Sequence, residues 1–141
     1  SSLFSATMAV NSLLWIHVRG DRPTEALEAV SWLEERYPGS HTVLWGEAFA
    51  REQAGHYRQS IEVFGQLIVQ IESQPSNYFN LIECRYHRGR MYQALSQTDL
   101  AAQEFEALLG YPVGDEVRER QRERLEQAAE ELSELRAGAN N

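Results

Sequence analysis

Three pairs of residues with the same internal spacing constrain the fold of this chain more than any other feature. In each pair a small residue is followed four positions later by a larger apolar one: Ala26 and Val30, Ser60 and Phe64, Ala101 and Phe105. The second pair follows the first by 34 residues, and the third follows the second by 41. A period near 34 residues is typical of repeat proteins, in which each unit is a small group of helices packed on its neighbours.

Apolar residues recur every three or four positions along the whole chain, and no segment alternates as a half-buried strand does. Turn-forming residues interrupt this pattern at regular intervals, for example at Gly20, Pro38 and Gly55. Asp21 is expected to cap the helix that follows it. The sequence therefore predicts an all-α fold of seven helices, over about residues 1–20, 22–37, 41–54, 56–73, 78–95, 98–110 and 115–137.

The first helix of each pair repeats as well, with Leu14, Ala48 and Gly89 at matching places. Together with the small and large residues of the second helices, this pattern resembles that of the tetratricopeptide repeat family. The resemblance implies a right-handed α-solenoid of three helix pairs plus a C-terminal capping helix, within a single domain over residues 1–141. The implied pairs span about residues 7–40, 41–74 and 82–115, and the cap spans about 115–137. A generic antiparallel helix bundle is the alternative.

The resemblance also implies a function, because the first helices of tetratricopeptide repeats line a concave groove that holds an extended peptide or a partner helix. Mapped onto this chain, that lining gives seven candidate peptide-binding residues: Trp15, Arg19, Trp45, Phe49, Tyr86, His87 and Arg90. Aromatic and arginine side chains are the types enriched at interaction hot spots. The alternative is that Trp15, Trp45 and Phe49 simply pack between helices.

A short basic run, formed by Arg85, Arg88 and Arg90, stands out because the protein as a whole is acidic. A locally positive surface attracts negative groups. The sequence therefore predicts a protein or peptide partner with an acidic or carboxylate-bearing segment.

Self-association is the second functional hypothesis, and two helices could support a homodimer. Residues 1–18 carry no charge, and the last helix carries Leu125, Ala128, Leu132 and Leu135 at coiled-coil spacing. If the last helix is a cap, its apolar stripe packs on the sixth helix and its Arg/Glu face meets water.

The charge balance and the missing motifs disfavour several other classes of protein. The 21 acidic and 13 basic residues give a net charge of −8, which argues against nucleic-acid binding. Cys84 is the only cysteine, and Cys84, His87 and Glu83 alone are too few for a convincing zinc site. Since no catalytic or phosphate-binding motif is present, we expect no enzyme activity, no cofactor and no metal.

The apolar first segment is not expected to be a membrane or targeting segment, because residues 1–18 include four serines and lack a basic start. A cytoplasmic location is the default expectation. All 13 basic residues are arginine, which we ascribe to genomic base composition, and we expect a bacterial source. The first residue is Ser1 and not methionine, so the chain is expected to be part of a longer protein.

Overall fold

The structure is a computed structural model that describes residues 2–140, without the side chain of Pro75. The described residues contain helices and no strand, so the prediction of an all-α fold is confirmed. The helices are α1 (Ser2–Arg19), α2 (Pro23–Arg36), α3 (His41–Gln53), α4 (Tyr57–Ile71), α5 (Tyr78–Ala94), α6 (Thr98–Leu109), α7 (Asp115–Arg120) and α8 (Arg122–Ala139), with a short 3₁₀ helix at Pro75–Asn77.

Where the sequence predicts one final helix, the structure has two, α7 and α8. The break lies at Gln121, whose φ of −108° and ψ of 16° are outside the α-helical region. Its side chain is only 2% exposed, and its Nε2 donates hydrogen bonds of 3.0 Å to the main-chain carbonyl of Phe79 and to Glu83 Oε1. The break therefore accompanies a contact with α5, and no glycine or proline marks it locally in the sequence.

The turns inside the three helix pairs share one backbone geometry. In each turn one residue is left-handed: Asp21 at φ 53°, Gly55 at φ 80° and Ser96 at φ 60°. The next N–H then donates to the carbonyl five residues earlier, and the three bonds are Arg22 to His17 at 2.9 Å, His56 to Arg51 at 2.9 Å and Gln97 to Tyr92 at 2.8 Å. This is the Schellman arrangement of a helix C-terminus. Because the left-handed residues are spaced by the same 34 and 41 positions as the sequence pattern, the repeat is also a repeat of backbone geometry.

Asp21 thus ends α1 and does not cap α2, which corrects the capping prediction. The residue at the N-cap of α2 is Arg22, and it makes no side-chain capping hydrogen bond. Aspartate tolerates the left-handed region better than most residues do, because its short polar side chain can bond locally. The left-handed backbone of Asp21 therefore makes it part of the C-terminal turn of α1.

The residues that define the repeat are buried in the structure. The small residues of the second helices have no exposed surface, and the larger residues that follow them are fully or almost fully buried: Ala26, Ser60, Ala101, then Val30, Phe64 and Phe105. In the first helix of the third pair, a Cβ on Gly89 would lie 2.6 Å from Cε1 of Phe105. The absence of a side chain at Gly89 is therefore what admits the aromatic ring.

The chain divides into two compact units, Ser1–Leu67 and Ile68–Asn141. In the first unit α2 packs between α1 and α3, and α1 also contacts α3 directly. Leu14, which is large for a close helix crossing, is accommodated by Gly46 of α3, where a Cβ would lie 2.5 Å from the Leu14 Cδ2 atom. One core cluster of this unit contains Leu14, Val18, Ala26, Ala29, Val30, Leu33, Val43 and Ala50.

In the second unit α6 packs between α5 and α8, and α8 also contacts α5 directly. The apolar stripe of α8 faces this core, which consists of Ile82, Tyr86, Ala101, Phe105, Leu108, Ala128 and Leu132, with Leu125 and Leu135 at its edge. Helix α8 therefore packs on α5 and α6 in the same order as α3 packs on α1 and α2.

Candidate functional site

An aromatic cluster, defined as Trp15, Trp45, Phe49 and Phe64, connects α1, α3 and α4 within the first unit. Phe64 has no exposed surface, whereas the other three rings are half-buried. The ring centroids of Trp45 and Phe49 are 5.8 Å apart in a stacked arrangement, and Trp15 meets Phe49 edge-on at 6.4 Å. Trp45 and Phe49 both contact Phe64 edge-on, at 6.2 and 5.6 Å. The cluster thus has a buried base and a rim that reaches solvent.

The orientation of Trp45 is set by a neighbour one helical turn earlier. Its Nε1 donates a 2.9 Å hydrogen bond to Nε2 of His41, and the two rings meet edge-on at 6.1 Å. Residues four apart on a helix share one face, so His41, Trp45 and Phe49 form a row along α3. The hydrogen bond and the ring contacts link these three side chains along the helix.

Two further features lie along α1 on either side of Trp15, Arg19 after it and a small cavity before it. Arg19 is exposed one turn after Trp15 on α1. One turn before Trp15 and Trp45, α1 and α3 contribute to a cavity of about 260 Å³, and its lining carries no charge: Thr7, Met8, Asn11, Leu33, Tyr37, Ser40, Thr42 and Val43. The first unit therefore offers aromatic, neutral polar and cationic groups on adjacent turns of its first helices.

In the second unit, two of the predicted peptide-binding residues contact α8. Tyr86 is 6% exposed, its hydroxyl donates a 2.5 Å hydrogen bond to Gln127 Oε1, and the guanidinium of Arg124 lies 4.5 Å from its ring centre. Arg90 is exposed and lies 3.6 Å from Glu131. The polar face of α8 therefore meets α5 in part, whereas the sequence predicts that this face meets water.

Glu83 is the centre of a polar network between the same two helices. It lies 3.7 Å from His87 Nε2, accepts a 3.0 Å hydrogen bond from Gln121 and lies 3.4 Å from Arg124 Nε. Burial by itself raises the pKa of Glu83, but the hydrogen bonds of His87 and Gln121 and the charge of Arg124 lower this pKa from 4.5 to about 2. His87 is thus engaged with a carboxylate of its own helix.

The three arginines of the local basic run pair with two glutamates of other helices. Arg85 and Arg88 both contact the carboxylate of Glu104, at 3.1 and 3.3 Å, and Arg85 Nε donates to the Tyr111 hydroxyl at 2.6 Å. Glu104 is 7% exposed, so this charge cluster is largely buried. With Arg90 near Glu131, each of the three arginines has a carboxylate nearby, so the run offers less free positive charge than the sequence suggests.

Cys84 is fully buried, and burial is the main cause that raises the pKa of its thiol to about 12. Such a thiol is neutral at physiological pH and is a poor nucleophile or metal ligand. Among residues 2–140, no three histidine, cysteine, aspartate or glutamate side chains come together as metal ligands. None of the described helices is both long and apolar enough to cross a membrane.

No protein-family model matches this chain, and no curated protein matches it either.

Proposed function

We propose that this chain is a non-catalytic protein-interaction module of the tetratricopeptide type, in which three helix pairs form a short right-handed α-solenoid. The left-handed turn residues Asp21, Gly55 and Ser96 support this assignment, because they recur at the spacing of the sequence repeat. The packing of α8 supports the role of a terminal cap, since its apolar stripe covers α6. Helical repeats of this kind bind partners on the surface formed by successive helices.

The observation that carries the proposal is the half-exposed rim of the aromatic cluster. Trp15 and Phe49 belong to the first helices of adjacent pairs and meet at 6.4 Å, so that the surface is continuous from α1 to α3. Tryptophan offers a large contact area at little cost in side-chain entropy, and it dominates measured binding hot spots. The proposed ligand is a peptide or helix that places apolar side chains on this rim.

Fewer arginines are free to attract an acidic partner than the sequence suggests, because Arg85 and Arg88 pair with Glu104. Arg19 is exposed on the same side of α1 as Trp15 and could meet a carboxylate next to the apolar side chains. In the second unit, Arg90 is exposed as well, although Glu131 shares its charge. For the rim of the first unit we therefore propose a mainly apolar ligand with at most one acidic position.

A peptide-display library selected on the immobilised chain tests this proposal. Binding of the selected peptides is then measured by calorimetry on Trp45→Ala and on the matched control Trp32→Ala. Trp32 lies on a second helix, where its ring is covered by the guanidinium of Arg36 at 3.7 Å. We expect Trp45→Ala to weaken binding by about 1–3 kcal/mol and Trp32→Ala to leave it unchanged.

Circular dichroism of both variants establishes that helical content is retained. Peptides that bind the Trp45 variant as tightly as they bind the unmodified chain would show that the aromatic rim is not the binding surface. A library without binders would count against the peptide-binding function itself.

Self-association is the second candidate function. Of the two helices that could support it, α1 and α8, the exposure of apolar side chains favours α1. Leu132 on α8 is only 6% exposed because the α8 stripe is used within the chain, whereas Met8, Leu13 and Ile16 on α1 are 47–56% exposed. If the chain forms dimers, α1 is the helix that offers the surface.

A further inference from the structure

A cavity of about 420 Å³ lies in the second unit, where the chain leaves α6 and continues through a turn into α7 and α8. Its volume is within the range of small-molecule sites and near the lower end of that range. The uncharged part of its lining consists of Leu108, Leu109, Tyr111, Val113, Leu125 and Ala129. The cavity therefore suits the apolar body of a small molecule and not a partner helix, which is about 10 Å across.

The floor and one wall of this cavity are held in place by contacts within the second unit. Leu108 is 1% exposed and belongs to the core of this unit, against which Leu125 packs. The ring of Tyr111 stacks on Tyr78 with the centroids 5.2 Å apart, and its hydroxyl accepts a 2.6 Å hydrogen bond from Arg85 Nε. A ligand therefore meets a preformed surface, which lowers the entropy cost of binding.

The rim of the cavity carries an arginine without an acidic partner. Arg118 Nη2 donates a 3.3 Å hydrogen bond to the main-chain carbonyl of Val113, which holds the guanidinium beside the cavity wall. Within residues 2–140, Arg118 forms no ion pair. Arg122 lines the cavity as well, but it pairs with Glu119. Since a guanidinium has five N–H donors, Arg118 retains donors for a ligand.

The third charged residue of the lining, Glu126, limits the charge that a ligand can carry. Glu126 is exposed on α8 and repels a ligand with more than one negative charge. A carboxylate suits this rim, because it has a single negative charge and can accept two parallel hydrogen bonds from Arg118. A phosphate monoester has nearly two negative charges at neutral pH and suits the rim less well.

We infer that this cavity binds a small amphipathic monocarboxylate, such as a medium-chain fatty acid. Its apolar chain lies against the leucines of the lining, and its carboxylate pairs with Arg118. The inference goes beyond the proposed peptide-binding function, since no residue of the aromatic cluster lines this cavity. The aromatic cluster belongs to the first unit, so either proposal can fail without the other.

Calorimetry and amide NMR on the whole chain test this inference, with octanoate as the probe. We expect octanoate to bind and to shift the amide signals of Leu109, Val113 and Ala129, which line the cavity. Octanol and octylamine should bind about tenfold more weakly, because neither presents a negative charge to Arg118. Octyl phosphate should also bind more weakly than octanoate, because Glu126 repels its second charge.

Two substitutions test the head group and the apolar body of the ligand separately. Arg118→Gln removes the charge at the rim and should weaken octanoate binding about tenfold. Ala129→Trp fills the cavity from an exposed position of α8 and should abolish binding. The matched control is Arg58→Gln, which removes an exposed arginine of α4 and should leave the affinity unchanged.

Thermal unfolding without ligand establishes that each variant folds, and octanoate should raise the Tm of the unmodified chain because it binds the native state. Failure of octanoate to bind the unmodified chain would overturn the inference, as would octanol that binds equally tightly. Binding that neither Arg118→Gln nor Ala129→Trp weakens would place octanoate elsewhere and would also overturn it. Tighter binding of octyl phosphate than of octanoate would refute the choice of a monocarboxylate.

Discussion

Ser60 Oγ donates a 2.7 Å hydrogen bond to the main-chain carbonyl of Ala48, in a fully buried contact between α4 and α3. The positions equivalent to Ser60 in the other pairs are Ala26 and Ala101, so the site requires a small residue and tolerates a hydroxyl only because a carbonyl is within reach. A side chain as short as serine can reach this carbonyl only where the backbones of α3 and α4 lie close together. A larger residue at this position would force the two helices apart and would lower the stability of the repeat.

Gly89→Ala is expected to lower the free energy of unfolding by about 1–2 kcal/mol, although alanine is the better helix former. The new Cβ would lie 2.6 Å from the fully buried ring of Phe105, which would have to shift. Urea denaturation followed by circular dichroism measures the change.

Gly138→Ala is the matched control, because a Cβ at this helical glycine would meet nothing within 4 Å. It should be neutral or stabilising by up to about 1 kcal/mol. If Gly89→Ala is as stable as the unmodified chain, the close contact of Gly89 with Phe105 does not exist.

Glu104→Gln is expected to cost about 2–4 kcal/mol, since it preserves shape but leaves the partly buried guanidinium groups of Arg85 and Arg88 without their shared carboxylate. The comparison is Glu106→Gln on the same helix, where an exposed carboxylate pairs with Arg136. That surface pair is worth less than about 1 kcal/mol. Similar effects of the two substitutions on chemical denaturation would mean that Arg85 and Arg88 do not depend on Glu104.

Stability is expected to fall as the pH decreases from 4.5 to about 2, partly because of Glu83, whose pKa the fold lowers over that interval. In this window the unfolded chain binds a proton at Glu83 that the native state does not yet bind, so protonation favours unfolding. Glu83→Gln removes the titrating group. The slope of the free energy of unfolding against pH should therefore be shallower for the variant below pH 4.5, and an unchanged slope would speak against the network.

The thiol of Cys84 is expected to react with a thiol reagent only when the second unit opens. It is fully buried, and its pKa of about 12 keeps it protonated at neutral pH. Asn140→Cys provides an exposed thiol for comparison. The exposed thiol should react at once, while Cys84 should react at a rate that rises with urea concentration; fast labelling of native Cys84 would refute its burial.

Much of the fold could be predicted from local sequence. Helix α3 begins at His41, where the apolar period resumes after a turn, and the predicted start is the same. For α6 the sequence predicts Thr98 as the N-cap, whereas the helix begins at Thr98 and its N-cap is Gln97. The burial of Ala101 and Phe105 also follows from the repeat spacing, because spacing by four places both residues on one side of a helix.

The surroundings of the candidate site could not be predicted in the same way. Glu104 and Glu131, which neutralise Arg85 and Arg90, come from other helices, and nothing near the arginines signals them. The break at Gln121 accompanies a hydrogen bond to Phe79, 42 residues earlier in the chain. The contacts of Gln121 and Glu131 form only when the C-terminal part of the chain packs on α5. The alternating Arg and Glu residues before α8 are equally compatible with a solvated face.

The division of the chain into two units separates its natural spectroscopic probes. The three tryptophans, Trp15, Trp32 and Trp45, all belong to the first unit, while Cys84 belongs to the second. Tryptophan emission and thiol labelling therefore follow the unfolding of different halves in one unmodified sample. Coincident transitions would identify a single cooperative protein, and separated transitions would identify two independently melting parts.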